Sequence, residues 1–226
     1  MDYTGKELEA FDKATIWRKY IYFLIKKYLK KKILEVGAGI GSFTKNYIDA
    51  SKEITLTELD TYNFNFLKDN FKDSNVEILK DPINKINGNF ENILYLNVLE
   101  HIKEDVEEVD QALEKVVPGG HLIILVPAHQ ELYGNLDEAV GHFRRYDINF
   151  FKNLNLKNAE IKKLYYLDMA GYFLFFLNNF FFKKEVYPTN FKIFVWDKIF
   201  TPITIILDKI SGYKFGKNVM CIIKKN

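Results

Sequence analysis

The sequence predicts an α/β fold built on an open, mostly parallel sheet. Short apolar runs recur along the chain, and segments with helical spacing separate them. Strands that alternate with helices pair in parallel through right-handed crossovers. One run, 33–36, ends in glycines at 37, 39 and 41, which indicates a buried strand followed by a tight loop. These features predict a Rossmann-like, doubly wound sheet that binds a ligand at the carboxyl ends of its strands.

Seven segments have the apolar character of strands, and we expect one sheet of seven strands. They are 33–36, 53–60, 76–79, 92–97, 121–127, 160–166 and 219–224. The last is expected to run antiparallel, as a hairpin partner at the sheet edge. Helical spacing is found over 7–29, 61–70, 103–116 and 150–156. An apolar helical stretch over 191–210 is expected to break at Pro202.

Composition excludes several classes of function. The formal net charge of +2 gives no electrostatic reason to expect a nucleic-acid partner. The single cysteine, Cys221, excludes an internal disulfide and a cysteine-based metal site, and the cytoplasm is the expected location. No group of His, Asp and Glu has the spacing of metal ligands, so no metal is predicted. The polar N-terminus has no features of a signal peptide.

The glycine stretch indicates a loop that a ligand approaches closely, because glycine has no Cβ. A helix that starts at residues 44–47 would also point free N–H groups at that ligand. The spacing is G-x-G-x-G, with Ser42 where a dinucleotide loop has its third glycine. Glu35 would repel a pyrophosphate but suits an ammonium or a sulfonium. S-adenosylmethionine carries both groups and has no phosphate, so it is favoured over a dinucleotide as the ligand. In the alternative interpretation the glycines only form a tight turn and bind no ligand.

The second strand ends in two acids, Glu58 and Asp60. A carboxylate at a strand tip can accept both hydroxyls of a ribose. Asp60 also precedes the predicted helix 61–70 and is expected to cap it. Glu58 is therefore the preferred ribose ligand.

The glycine loop, the acidic second strand, the segment 97–102 and the Pro-Gly-Gly at 118–120 together resemble class I S-adenosylmethionine-dependent methyltransferases. The resemblance runs from about residue 31 to 127. The stretch 127–147 further resembles bacterial methyltransferases found beside, or fused to, glycosyltransferases of polysaccharide clusters. The resemblance implies a methyl donor, S-adenosylmethionine, bound by the following residues: Glu35, Gly37, Ala38, Gly39, Gly41, Glu58, Leu59, Asp81, Pro82, Asn97, Val98 and His101.

Some of these residues have a more specific implied role. Asp81 is expected to meet the adenine amino group, although a residue before a proline also suits a plain turn. Asn97 is expected to line the methionine half of the cofactor through its backbone. His101 is expected to shape the cofactor pocket rather than to act as a base.

The stretch 128–147 is expected to bind the methyl acceptor, because it follows the fifth strand and is rich in His, Arg and Tyr. The catalytic candidates are His129, His142 and Tyr146, and either histidine could take a proton from a hydroxyl. The acceptor-binding candidates are Tyr133, Arg144 and Arg145, since guanidinium groups bind carboxylates and phosphates. In the alternative, the two arginines pair with acids such as Asp137 and hold the loop shut.

The segment 170–184 is rich in aromatic residues. It is too short and too interrupted by polar residues for a membrane span. A buried helix is favoured over a substrate lid, and a lid over an interfacial helix with Lys183 and Lys184 at the head groups. Trp17 or Tyr20 could face a substrate.

We therefore expect a single domain, 1–226, with four parts. Residues 1–30 form an N-terminal helical cap, 31–127 the cofactor-binding core, 128–158 the acceptor loop and 168–212 a helical lid or insertion. The expected activity is methyl transfer to an oxygen or nitrogen of a small-molecule or sugar-linked acceptor. The alternatives are a nicotinamide-dependent oxidoreductase, a methyltransferase acting on a lipid-linked acceptor at the membrane surface, and a noncatalytic module. Membrane contact is not favoured, and the oligomeric state is not predicted.

Overall fold

The computed structural model describes residues 6–49, 52–181 and 187–226, and it describes no side chain from 177 to 186. Part of the predicted aromatic segment, with Lys183 and Lys184, lies outside the described residues. In the described residues, seven strands form one sheet in the order β3-β2-β1-β4-β5-β7-β6. The strands are β1 Lys32–Val36, β2 Glu53–Thr57, β3 Val76–Leu79, β4 Phe90–Leu96, β5 Val116–Pro127, β6 Ala159–Leu167 and β7 Asn218–Lys225.

The first five strands are parallel, and β7 is antiparallel to both of its neighbours, β5 and β6. The predicted fold class is therefore confirmed. The expected edge position of the last strand is wrong, because β7 lies between β5 and β6. The burial patterns explain this arrangement: residues 219–223 of β7 are fully buried, whereas every residue of β6 before Leu167 is exposed or half-buried, as in an edge strand.

Nine α-helices surround the sheet in the described part of the chain. They are α1 Lys6–Phe11, α2 Thr15–Ile25, α3 Thr61–Phe71, α4 Asp105–Lys115, α5 Asn135–Val140, α6 Ile148–Lys152, α7 Met169–Phe181, α8 Asn190–Val195 and α9 Thr201–Ile210. Two apolar clusters cover opposite faces of the sheet: Leu34 and Tyr95 belong to one, and their chain neighbours Ile33 and Leu94 to the other. Both faces are thus buried, as a doubly wound sheet requires.

The predicted N-terminal helix is two helices rather than one. A break at residues 12–14 separates α1 from α2, and the carboxylate of Asp197 satisfies the first amides of α2. Asp197 Oδ2 accepts from the Ile16 N–H at 3.2 Å, and Oδ1 accepts from the Trp17 N–H at 2.9 Å. This cap stabilises a helix start that has no capping side chain of its own.

The expected break at Pro202 is also wrong. Residues Trp196–Phe200 form a π-helical turn that joins α8 to α9 without interruption. The amide of Thr201 donates to the carbonyl of Trp196, five residues earlier. Proline has no N–H and crowds the preceding turn of an α-helix, and the wider π turn accommodates it.

The aromatic helix α7 is partly exposed over its described side chains, because Phe173 and Phe176 are each 50% exposed whereas Ala170 and Gly171 are buried. In the residues that the structure describes, no helix combines the length and the apolar character needed to cross a membrane.

Candidate functional site

A cavity of about 250 Å³ opens at the carboxyl ends of β1, β4 and β5. This volume lies just below the range of roughly 300–1,000 Å³ that is typical of small-molecule sites. Its walls come from α1 and α2, the glycine loop after β1, the segment after β4, the helix α5 and the start of β7. The cavity therefore lies where the sequence predicted a ligand.

The glycine loop borders this cavity through Gly37, Ala38 and Gly39. Gly37 and Gly39 have φ angles of +63° and +57°, which only glycine adopts without strain. A Cβ on Gly37 would lie 2.8 Å from Cγ1 of Val98, so Val98 supports the loop from behind. Gly41 does not border the cavity: a Cβ there would collide with Phe71, and its place in the fold is against α3.

The predicted helix after the glycine loop is wrong, since residues 44–46 form only a 3₁₀ turn. Thr44 Oγ1 donates to Glu35 Oε2 at 2.6 Å, and the Tyr47 hydroxyl donates to the same oxygen. These two bonds draw the segment toward the strand. Glu35 borders the cavity, and its burial raises the pKa to about 7, although both hydroxyls act against that rise.

The predicted ligands of the adenosine half lie outside this cavity. Glu58 accepts from the Gly39 N–H through Oε2 and from the Asp60 N–H through Oε1, each at 2.9 Å. Burial raises the pKa of Glu58. Leu59 is exposed, and Asp81 and Pro82 are half-buried beyond the end of β3. Glu58 therefore orders the glycine loop from the outer side of that loop.

Asp60 acts as the N-cap of α3, because its Oδ1 accepts from the Asn63 N–H at 2.9 Å. The capping role predicted for it is confirmed. On the other side of the loop, Asn97 borders the cavity with a φ of +58°. Its amide donates to the carbonyl of Leu125 at 2.8 Å. Of its backbone groups, only the carbonyl is left for a ligand.

Three titratable side chains meet at one wall of the cavity: Glu100, His101 and His142. Their potential ligand atoms all lie within 4.8 Å of one another, and the two imidazole centroids are 4.6 Å apart. The sequence spacing predicted no metal site, yet the fold assembles a donor set that can bind a cation or exchange a proton.

Glu100 has an unusual environment within this cluster. It is 1% exposed, and no other described residue donates a hydrogen bond to either carboxylate oxygen, although its own backbone amide favours the charged form. Burial raises its pKa to about 7, although His142 favours the charged form. Burial also lowers the pKa of His101 to about 4, and His142 adds to that effect. His101 is therefore neutral at physiological pH.

His142 is held in place by a buried network. Its Nδ1 lies 2.8 Å from Oδ1 of Asp137, and Tyr133 donates its hydroxyl to the His142 carbonyl at 2.7 Å. Arg145 donates to both Asp137 oxygens, at 2.9 and 3.0 Å, and its guanidinium lies 4.5 Å from the Phe175 ring. Burial would raise the pKa of Asp137, but the bonds from His142 and Arg145 lower it below its usual range.

Most of the predicted acceptor residues therefore bind the protein itself. Arg144 Nη1 donates to Asp105 Oδ2 at 2.8 Å, and the buried Tyr146 hydroxyl donates to the same oxygen at 2.9 Å. His129 stacks on Tyr166, with a centroid distance of 5.0 Å. None of these side chains borders the cavity, nor do Tyr133 and Arg145. His142 is the one predicted catalytic residue that does, and the arginines pair with acids as in the alternative interpretation.

Several cavity residues were missed by the sequence analysis. Arg18 is buried and donates to the Phe11 carbonyl at 2.8 Å. Lys217 lies 3.2 Å from Asp168 Oδ2 and 4.7 Å from the centre of the Trp196 ring. Glu100 was also missed, although it had a local signal, because it precedes His101 in the 97–102 segment. Arg18 and Lys217 had no such signal. Of Trp17 and Tyr20, the two residues considered as possible substrate contacts, Trp17 borders the cavity, whereas Tyr20 is buried and bonded to Asp208.

Comparisons with known proteins agree with this architecture. A family model described as a methyltransferase domain matches residues 10–162. A search of curated proteins finds no match. Among solved structures, a chain of the complex between the Haloferax volcanii Trm112 methyltransferase activator and a methyltransferase superposes with a TM-score of 0.66. It is 9% identical, and the alignment covers 98% of this chain and 94% of that one.

Two further structures share the fold. Coclaurine N-methyltransferase, bound to N-methylheliamine and SAH, has a TM-score of 0.61 at 14% identity, with 92% of this chain and 72% of that chain covered. The [4+2]-cyclase SpnF has a TM-score of 0.60 at 12% identity, with 92% and 80% covered. At these identities the structures show the fold alone, and SpnF illustrates that one fold can support different reactions.

Proposed function

We propose that this chain, which belongs to the methyltransferase-domain family, transfers a methyl group from S-adenosylmethionine to an oxygen or nitrogen of a small, polar acceptor. One observation carries the proposal. The glycine loop and the Glu100–His142 pair line the same cavity. A loop whose backbone can contact a ligand thus shares that cavity with a group able to accept a proton.

The donor set of the cavity fits the cofactor. A Cβ on Gly37 would collide with Val98 and one on Gly39 would lie 3.2 Å from Leu8, so glycine at both positions preserves the shape of the loop where it borders the cavity. Glu35 is a buried acid beneath that loop, and it gains from a neighbouring ammonium or sulfonium because burial otherwise disfavours its charge. Arg18 and Lys217 are cationic groups at the cavity wall, but Arg18 already donates to the Phe11 and Asp12 carbonyls and Lys217 pairs with Asp168, so a ligand carboxylate would share them with these partners. When bound, S-adenosylmethionine supplies a methyl group activated by a sulfonium.

The adenosine half would lie on the outer side of the loop, against Glu58, Leu59, Asp81 and Pro82. Glu58 supports this assignment, because it already contacts the Gly39 amide at 2.9 Å. Val98 and Ala38 would support the loop, and Asn97 would offer its carbonyl to the methionine half. The contribution of Gly41 would be to packing against α3.

Glu100 is the side chain best suited to take the acceptor's proton. Its pKa of about 7 matches the operating range of a general base. His142 Nε2 lies 3.9 Å from Glu100 Oε1, and Asp137 orients the ring from its other nitrogen. At this distance His142 acts on Glu100 electrostatically, favouring its charged form, and not through a hydrogen bond. Transfer forms a bond from the acceptor to the methyl carbon and breaks the bond from carbon to sulfur, and the acceptor's proton goes to Glu100.

The aromatic lining of the cavity supports a sugar or glycan-linked acceptor. Trp17 and Trp196 both line the cavity, with their ring centroids 5.6 Å apart. Aromatic faces suit the C–H faces of a sugar ring. On this proposal 1–226 is one domain, in which 1–30 caps the site, 31–127 binds the cofactor, 128–158 orders the acceptor side and 168–212 covers it.

Thermal-shift and calorimetric titrations test the proposal. We expect S-adenosylmethionine and its demethylated product to bind and to raise the melting temperature, and NADH to leave it unchanged. Stabilisation by NADH alone would favour the oxidoreductase instead. Transfer of a labelled methyl group to polar acceptors would then distinguish a methyltransferase from an enzyme that binds the cofactor without consuming it.

A further inference from the structure

The helices α8 and α9 present a continuous apolar stripe to solvent. Its members are Phe191, Phe194, Ile199, Ile203, Ile206 and Ile210, which are between 42% and 78% exposed. With Phe173 and Phe176 of α7, a helix that packs against α9, eight of the thirteen large exposed apolar residues in the described structure lie between 169 and 210. We call these eight residues the apolar face. Such a concentration marks an interaction surface.

The π turn keeps this stripe on one side of the helix. Most steps along the stripe are three or four residues, as on one face of an α-helix, but the step from Phe194 to Ile199 is five. In a regular α-helix that step would rotate Ile199 away from the stripe. The π turn Trp196–Phe200, with its five-residue hydrogen bond, takes up the extra residue.

The surface charges of the segment that carries the stripe, 190–214, have one sign, whereas the exposed acids Glu9 and Glu131 lie on segments that pack against α8 and α7. The acids of 190–214 are Asp197 and Asp208, and both are fully buried. Asp197 caps α2, and Asp208 accepts from the amides of Asp168 and Met169 at 3.0 Å. The other charged residues of 190–214 are lysines, among them the exposed Lys209 and Lys214. The helix α2, which packs against α9, contains no acid either.

We propose that the apolar face docks on the surface of an anionic lipid bilayer. An apolar stripe flanked by lysines has the composition of a helix that lies in the membrane interface. Anionic head groups attract the lysines, and the isoleucines and phenylalanines are buried among the acyl chains. A second copy of the chain is a poorer occupant, because a symmetric contact would bring the same lysines face to face.

Docking would also bring the cavity to the membrane. Trp196 borders the cavity and belongs to the π turn between Phe194 and Ile199. The same helical segment thus faces the cavity on one side and the lipid on the other. From this arrangement we infer that the methyl acceptor is a lipid-linked polar molecule, and this inference rests on the proposed function. Lipid binding itself does not depend on that function.

Flotation of the full chain with vesicles tests the docking. We expect binding to vesicles of phosphatidylcholine mixed with phosphatidylserine, and binding at least about tenfold weaker to phosphatidylcholine alone. The double variant Ile206→Ser, Ile210→Ser should weaken the binding roughly tenfold or more, and Lys209→Gln about fivefold. Val106→Ser on α4 and Lys72→Gln after α3 are matched controls that should bind as the wild type does. All these positions are exposed, so melting temperatures should be unchanged.

Other outcomes would overturn the proposal. Equal binding to neutral and anionic vesicles would remove the role of the lysines, and no binding to either would remove the docking altogether. A dimer in sedimentation that the double isoleucine variant dissociates would assign the apolar face to a second copy. If vesicles bind while S-adenosylmethionine does not, the docking stands and the proposed function fails.

Discussion

The glycine loop after β1 and the loop 128–147 after β5 meet the cavity in different ways. In the first loop the backbone itself borders the cavity, and Gly37 and Gly39 are required there by their positive φ angles. In the second loop most polar side chains contact other groups of the protein, and His142 is the predicted residue that reaches the cavity. A dense group of His, Arg and Tyr in a loop is therefore a sign of an ordered loop before it is a sign of substrate contact.

Each loop lies beside a buried glutamate, and these two residues extend the comparison. Glu35, near the first loop, accepts from Thr44 and Tyr47. Glu100, near the second, accepts from no other described residue. Both have a pKa raised to about 7 by burial. An acid with internal partners is suited to structure and binding, whereas an acid without them is suited to exchange a proton.

The largest expected effect is that of Glu100→Gln on turnover. If Glu100 takes the acceptor's proton, its loss should lower kcat by roughly 10²–10⁴-fold and leave cofactor affinity near that of the wild type. At pH 8 the melting temperature should rise, because the substitution removes a buried charge without hydrogen-bond partners. Steady-state kinetics and thermal melts measure the two effects, and Glu104→Gln is the exposed control. Unchanged turnover would leave the proton to His142.

The next effect is that of Asp137→Asn on stability. The variant leaves the guanidinium of Arg145 buried without its ion pair, which should cost about 3–5 kcal/mol of unfolding free energy. Chemical denaturation measures this loss, and the exposed neighbour Glu138→Gln is the control. A variant that kept its stability but lost methyl transfer would instead show that Arg145 serves the acceptor.

Glu35 predicts a pH dependence of stability. Its pKa is about 7 when folded against 4.5 as the reference value, so the folded state holds a proton that the unfolded state loses first. The resulting stabilisation is complete below pH 4.5 and is lost as the pH rises to 7, a change of roughly 3 kcal/mol. Denaturation of the wild type and of Glu35→Gln at both ends of this range should show that difference. A constant difference between the two proteins would mean that Glu35 ionises normally.

The smallest expected effect is the difference in cofactor affinity between substitutions of Glu58 and Asp60, the two acids after β2. Glu58→Ala should weaken the binding of S-adenosylmethionine by about 1.5–3 kcal/mol, the scale for a hydrogen bond to a charged group. Asp60→Ala should leave affinity unchanged and lower stability by about 1 kcal/mol, because it removes the N-cap of α3. Calorimetry and melting measure the pair. An unchanged dissociation constant for Glu58→Ala would move the ribose contact elsewhere.

The sequence by itself determined the sheet, the glycine loop and the cap at Asp60. These features depend on local properties: apolar periodicity, the positive φ angles of glycine, and hydrogen bonds to amides two or three residues away. Within the candidate site, Gly37, Gly39, Asn97 and His142 were placed at the cavity by the same local signals.

Only the tertiary structure decided the rest, because it depends on partners that are distant in the chain. Asp197 caps a helix that begins 182 positions before it, and the fully buried core of β7 pairs on both sides, between β5 and β6. The meeting of Glu100 with His142 depends on how the loop 128–147 folds back over the end of β4. The sequence determines the chemical type of each side chain, but the residues that the fold places around that side chain determine its partner, its burial and its pKa.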